Sequence, residues 1–204
     1  MATLITDPHW EQQIQAERRA TGADCYDEAW EGTHMMTPFP NNEHQHLVSR
    51  LTMVLGDVVE WPGLGKVFSG TNLSDRKDDW THNYRVPDIA VFLNDGAAKD
   101  CGTHWVGAAD FLVEVVSPDD HSREKLSFYG QLGVRELLLI DRDPWAVELH
   151  RYSQSGLALA GTSTLDDSVA LASDIVPLTF RLIPGDECPR IEVTHTESGK
   201  QWQV

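Results

Sequence analysis

The chain has 204 residues, 41% of them hydrophobic, which is enough for one sizeable core and forces no division into two domains. Its 32 acidic and 16 basic residues leave a formal charge of −16, which favours solubility and argues against tight, sequence-independent attachment to nucleic acid through clustered lysine and arginine. Three widely separated cysteines (Cys25, Cys101, Cys188) point to neither a disulfide framework nor a zinc knuckle, and short apolar runs such as LLLI at 137–140, with no signal-like start, point to a cytoplasmic protein without membrane contact.

In chain order, PHWEQQIQAERRA at 8–20 reads as an exposed helix, and TPFPNN at 37–42 as a loop. NEHQHLVSRLTMVLG then gives a second helix. Leu47, Val48, Leu51, Val54 and Leu55 recur at helical spacing, Asn42 with Gln45 resembles a capping box, and Gly56 is the expected stop. Strands are expected near 66–73, 85–93 and 111–117, a helix near 120–132 ended by Gly133, and strands ELLLID at 136–141 and AVELHRY at 146–152 joined by the turn RDPW. The C-terminal fifty residues read as strands and loops, ending in a hairpin around Ser198-Gly199. The pattern is an α/β (α+β) fold: a mixed central sheet flanked by helices, with additional C-terminal strands over about 153–204.

Two carboxylates interrupt this pattern. Glu114 lies in the middle of FLVEVV, and Asp88 follows Pro87 in RVPDIAVFL. A carboxylate buried in such a strand costs several kcal/mol or has its pKa pushed up unless a cation lies beside it. Two acids on neighbouring strands suit a hard divalent ion with oxygen ligands, which would reverse the local sign of charge. The same spacing also fits a turn-capping role for Asp88 and an arginine partner for Glu114.

The series YDEAWEGTHMMTPFPNNEHQHLVSRL, YRVPDIAVF and FLVEVVSPDDHSREKLSFYGQLGVRELLLIDRDPWAVELHRY resembles the Uma-type restriction endonuclease family, within the PD-(D/E)XK nuclease superfamily. The resemblance runs from about Tyr26 to Tyr152. Its most specific part is the order Glu114, Val115, Ser117, Pro118, Lys125, Tyr129, Gly133, Val134, Glu136, Asp141. It implies a restriction-endonuclease-like fold and a magnesium or manganese site made by Asp88 and Glu114, with the Val115 backbone carbonyl a further ligand. The implied activity is hydrolysis of phosphodiester bonds in DNA. The superfamily places a lysine two residues after the second acid, where this chain has Val116. Lys125, in the first turns of the next helix, is the natural substitute, and the deciding observation is whether Asp88, Glu114 and Lys125 converge within about 5 Å, the range over which opposite charges act strongly.

Further candidates are Glu43 or Glu31 as a third acid, His44 near the start of the second helix, where a capping or core role competes, and Tyr129, one turn after Lys125, where packing competes. His44 and His46 face different ways on a helix, which argues against a zinc site there. Arg76, Lys77, Arg85, Arg123, Lys125 and Arg135 could gather at one mouth of the sheet, and SDRKDDW at 74–80 reads as a solvated loop. Two functions of different classes follow. One is a metal-dependent endonuclease, with DNA bound weakly until metal is present. The other is a catalytically inactive nuclease fold serving as a protein-interaction or regulatory module, for which the acidic charge speaks. A homodimer is compatible with either.

Overall fold

The second helix, α2 (Asn42–Leu55), turns Leu47, Val48, Leu51, Val54 and Leu55 inward as its periodicity requires. Its cap is Asn41 rather than Asn42: Asn41 Oδ1 accepts the N–H of His44 at 2.9 Å, so the side chain one residue earlier satisfies an open helical donor. Gly56 does not stop the helix. It stays in the right-handed helical region and opens a π-helical turn over Gly56–Glu60, which buries Val58 and Val59. These features belong to a computed structural model that describes residues 8–117 and 121–204. Residues 118–120 lie outside the described residues, and the helix expected near 120–132 begins only at Lys125, after a turn over 122–124.

Among the described residues, α1 (Pro8–Thr21) and α3 (Lys125–Leu132) are the other α-helices; α3 ends at Gly133, whose φ of 87° is the left-handed cap that glycine favours. The central sheet runs, by strand, Gly156–Thr164, Trp145–Ser153, Glu136–Arg142, Phe111–Val115, Ile89–Leu93, Gly65–Ser69. The middle pair, Phe111–Val115 with Glu136–Arg142, is parallel, and the other pairs are antiparallel.

Three expected strands are shorter than read, the 111–117 run ending at Val115. The 66–73 run breaks at Gly70, whose φ of 65° leaves the extended region, and resumes as Leu73–Ser74. The 85–93 run splits into Tyr84–Arg85 and Ile89–Leu93, because Pro87 has no N–H to give to a ladder. Tyr84–Arg85 and Leu73–Ser74 join the short strands Glu28–Trp30 and Thr33–Met35 in a second, small sheet. The C-terminal sheet (Leu171–Ala172, Leu178–Ile183, Arg190–His195, Gln201–Gln203) contains the expected hairpin around Ser198-Gly199.

The strand alternation divides the core. Phe111, Val113 and Val115 face α2 and the C-terminal sheet, where Phe111 stacks on Phe180 at 5.9 Å. Leu112 and the partly buried Val116 belong to the opposite cluster, with Phe128 and Tyr129 of α3. Glu114, in phase with Leu112 and Val116, therefore points toward α3. Among the described residues no helix is long and apolar enough to cross a membrane, and Cys25, Cys101 and Cys188 are free thiols.

The N-terminal helix is fastened by one buried acid. Asp27 accepts from Arg18 Nε at 2.7 Å and from the N–H of Thr37 at 2.9 Å, and lies 3.2 Å from His34 Nε2. Burial alone would raise the Asp27 pKa. The hydrogen bonds from His34, Arg18 and Thr37 outweigh it and hold the carboxyl at about 2. A depressed acid contributes stability that is complete above its ordinary pKa of 3.8 and is lost as pH falls through about 2. Acid titration of the denaturation midpoint should show this loss in the wild type and a flatter profile in Asp27→Asn; parallel profiles would rule the anchor out.

Candidate active site

The site starts from strand register. Ile89 pairs with Val113, so the next step of the antiparallel ladder sets Asp88 across from Glu114. Asp88 Oδ2 accepts the N–H of Val115 at 2.7 Å and lies 3.2 Å from Nε2 of His44. The imidazole is buried, and its Nδ1 has no partner among the described residues. His44 is thus neither a simple cap nor an isolated core residue: its ring leans on the first acid.

Glu114 is fully enclosed. Tyr129 Oη donates to its Oε1 at 2.5 Å, and Lys125 Nζ is 3.3 Å from each of its oxygens. Lys125 and Tyr129 lie one turn apart on α3, so both reach the same carboxylate. Lys125 is closer to a third acid, Glu28, at 2.8 Å. Glu28 is buried; it also accepts the Val86 N–H at 2.9 Å and the Trp30 indole N–H at 2.8 Å. Two carboxylates, Glu114 and Glu28, hold one ammonium, and Asp88 acts on it only through its charge.

The electrostatics follow from that imbalance. Burial, reinforced by Asp88 and Glu28 and opposed by Lys125 and Tyr129, pushes the Glu114 carboxyl up to about 8. For Lys125, burial pulls the other way, but the Glu114 and Glu28 carboxylates overcome it and hold the ammonium above the ordinary lysine value. Burial and the adjacent Glu114 also raise the Tyr129 phenol. Lys125 is charged and structurally committed, while Glu114 is short of cationic partners.

Asp88, Glu114, Val115, His44 and Lys125 all border one cleft of ≈ 600 Å³, together with Glu28. Glu43 and Glu31 do not. The Glu43 carboxylate turns to Arg142 at 2.9 Å. Glu31, at a left-handed φ of 47°, accepts from Asn83 Nδ2 at 2.7 Å and projects into solvent. A further acid on the cleft is Glu28, which sequence reasoning missed; its strand EAW is too short to show an alternation that would have marked it.

The expected gathering of basic residues is also absent from this mouth. Arg76 pairs with Asp75, Arg123 with Glu148 and Asp141, and Arg135 with Asp110. Arg85 is buried between the Trp30 and Phe128 rings, 4.2 Å from each centroid. Asp141 caps its turn, accepting the Asp143 N–H. Ser74, at the start of the loop read as solvated, is buried, while residues 77–79 are exposed.

The donor chemistry fits a magnesium or manganese ion. Asp88 and Glu114 offer hard oxygens from facing strands, the donor type that such an ion takes. Among the described residues no group of three histidine, cysteine or acidic side chains is close enough to hold a metal by itself. Magnesium does not require one, since it usually keeps several waters and takes one or two carboxylates.

A mixed sheet with acids at the end of two facing strands and a lysine from the following helix places the protein in the nuclease-like α+β class. A solved structure of that class, a crystal structure titled as a putative nuclease belonging to DUF820 from Anabaena variabilis, resembles this fold with a TM-score of 0.56 and 23% identity over 72% of this chain and 80% of that one. Comparison with curated proteins finds no match. The chain belongs to the Uma2 family, described as "Putative restriction endonuclease", whose model matches residues 15–182. The match extends past Tyr152 through the Gly156–Thr164 strand and into the C-terminal sheet, so most of what sequence reading set apart as an extension belongs to the family's own span.

Proposed function

We propose that the protein is a cytoplasmic, magnesium- or manganese-dependent endonuclease that hydrolyses phosphodiester bonds in DNA. The observation that carries this reading is the convergence of Asp88, Glu114 and Lys125 on one cleft. Asp88, Glu114 and the Val115 carbonyl would hold the ion, which when bound supplies the charge that polarises a phosphate and acidifies a water. The chain's own residues set the geometry. The Val115 N–H and His44 fix the rotamer of Asp88, as partners of ligand carboxylates commonly do. Tyr129 fixes Glu114. Lys125 keeps a permanent positive charge at the cleft floor, where it orients water and offsets negative charge growing on the phosphate.

The test is nicking of supercoiled plasmid in magnesium against chelator, with binding measured in calcium. Cleavage should require magnesium, and duplex binding should be weak in chelator and improve with calcium, because the ion cancels local acid charge. Tight binding in chelator at physiological salt would contradict the proposal. The second reading, an inactive interaction or regulatory module, is favoured by the carboxylate pairing of Arg76, Arg123 and Arg135. It becomes the better account if no DNA form is cut in either metal.

A further inference from the structure

The cleft has a second kind of wall. Tyr26, Trp30 and Phe39 line the same cleft as the acids. Phe39 is 76% exposed, an unusual place for a phenylalanine beside a charged floor, and its ring meets Tyr26 edge-on at 6.0 Å. Trp30 is held rigidly: the Arg85 guanidinium lies 4.2 Å from its ring, its indole N–H is bonded to Glu28, and His121 packs against it at 5.9 Å. The indole is thus tied to the acid cluster itself.

Resting on the nuclease reading, we infer that the DNA strand enters this cleft unpaired, a nucleobase stacking on the wall of Trp30, Tyr26 and Phe39 while its phosphate meets Asp88, Glu114 and Lys125. Two observations select a single strand over a closed duplex. A duplex is held mainly through its phosphates by lysine and arginine. Here the charge is −16, and Arg76, Arg123, Arg135 and Arg142 are each spoken for by a carboxylate. A single-strand site adds stacking on aromatic rings to its cationic contacts, and that stacking tolerates any base, because every base has a π-face. The volume of ≈ 600 Å³ is also that of a small-ligand pocket, which a splayed nucleotide can fill and a double helix cannot enter.

Fluorescence anisotropy of a short labelled single strand and of a hairpin of the same composition, both in calcium, tests this. The single strand should bind about tenfold tighter or better, Phe39→Ala should weaken it by about tenfold, and Phe39→Trp should preserve it, since the loss of one stacking platform is the only change. Phe39 is exposed, so its replacement leaves the core intact. The inference is overturned if the hairpin binds as well as the single strand, if Phe39→Ala binds the single strand like wild type, or if neither probe binds. The magnesium-induced melting shift of the unmodified protein, read in parallel, tells which idea has failed. A shift with duplex preference removes only the single-strand inference, whereas no shift and no binding remove the nuclease reading with it.

Discussion

Lys125→Ala should abolish metal-dependent cleavage and destabilise the protein together, because the same ammonium serves both. Its Nζ sits 2.8 Å from Glu28 and 3.3 Å from Glu114, with the side chain 13% exposed and both carboxylates nearly sealed from water. Removing one partner of a buried ion pair costs about 3–5 kcal/mol, because the remaining charge is left uncompensated. Loss of positive charge where the phosphate gains negative charge should lower turnover by about 10²-fold or more. Lys125→Arg should recover little, since a planar guanidinium cannot occupy the place of a compact ammonium between two carboxylates. Instability alone could silence an enzyme, so the deciding measurement is the melting curve with and without magnesium. In Lys125→Ala the ion replaces part of the missing charge, and the magnesium shift should exceed that of the wild type while cleavage stays absent. Val116→Lys combined with Lys125→Ala returns a cation to the face of Glu114, where Val116 already packs, and should regain part of both stability and activity. A Lys125→Ala protein that melts and cleaves like wild type would end the displaced-lysine account.

The sequence made some of this arrangement legible and hid the rest, for physical reasons. Asp88 and Glu114 stood out because strand periodicity is short and an acid inside an apolar run is conspicuous. Lys125 stood out only through the family resemblance, which implies a lysine two residues after the second acid where this chain has Val116, with the next helix beginning nearby. Glu28 was hidden by the brevity of its strand: three residues carry too little alternation to declare a buried face. Glu43 and Glu31 looked equally good on paper. Their fates were set by contacts that no local pattern encodes, a salt bridge across the fold to Arg142 for one and a left-handed backbone turn ahead of Gly32 for the other. Arg85 is the reverse case. A charge that could have gathered with others at one mouth of the sheet is instead buried between two aromatic rings, where it props up Trp30. Periodicity finds faces; long-range pairing decides which charged side chains a face receives.

The excess of acid charge acting on one lysine leads to the last expectation, for Asp88→Asn. Asparagine keeps a carbonyl oxygen, so the Val115 N–H retains an acceptor and the strand end need not shift. What disappears is one negative charge beside Glu114, where Asp88 and Glu28 already make ionisation harder. In chelator the variant should therefore be at least as stable as the wild type, because like charges crowded at a functional site cost stability. With magnesium the order should reverse. The wild type gains melting temperature by binding the ion, as any ligand that prefers the folded state requires, whereas Asp88→Asn has lost a hard anionic ligand and should gain little. Cleavage should fall by about 10²-fold or more, as expected when transition-state charge loses its main electrostatic support. A protein that is inactive yet undiminished in stability separates a catalytic acid from a structural one. If Asp88→Asn melts several degrees lower in chelator and still shows the full magnesium shift, Asp88 is holding the strands together and the ion binds elsewhere.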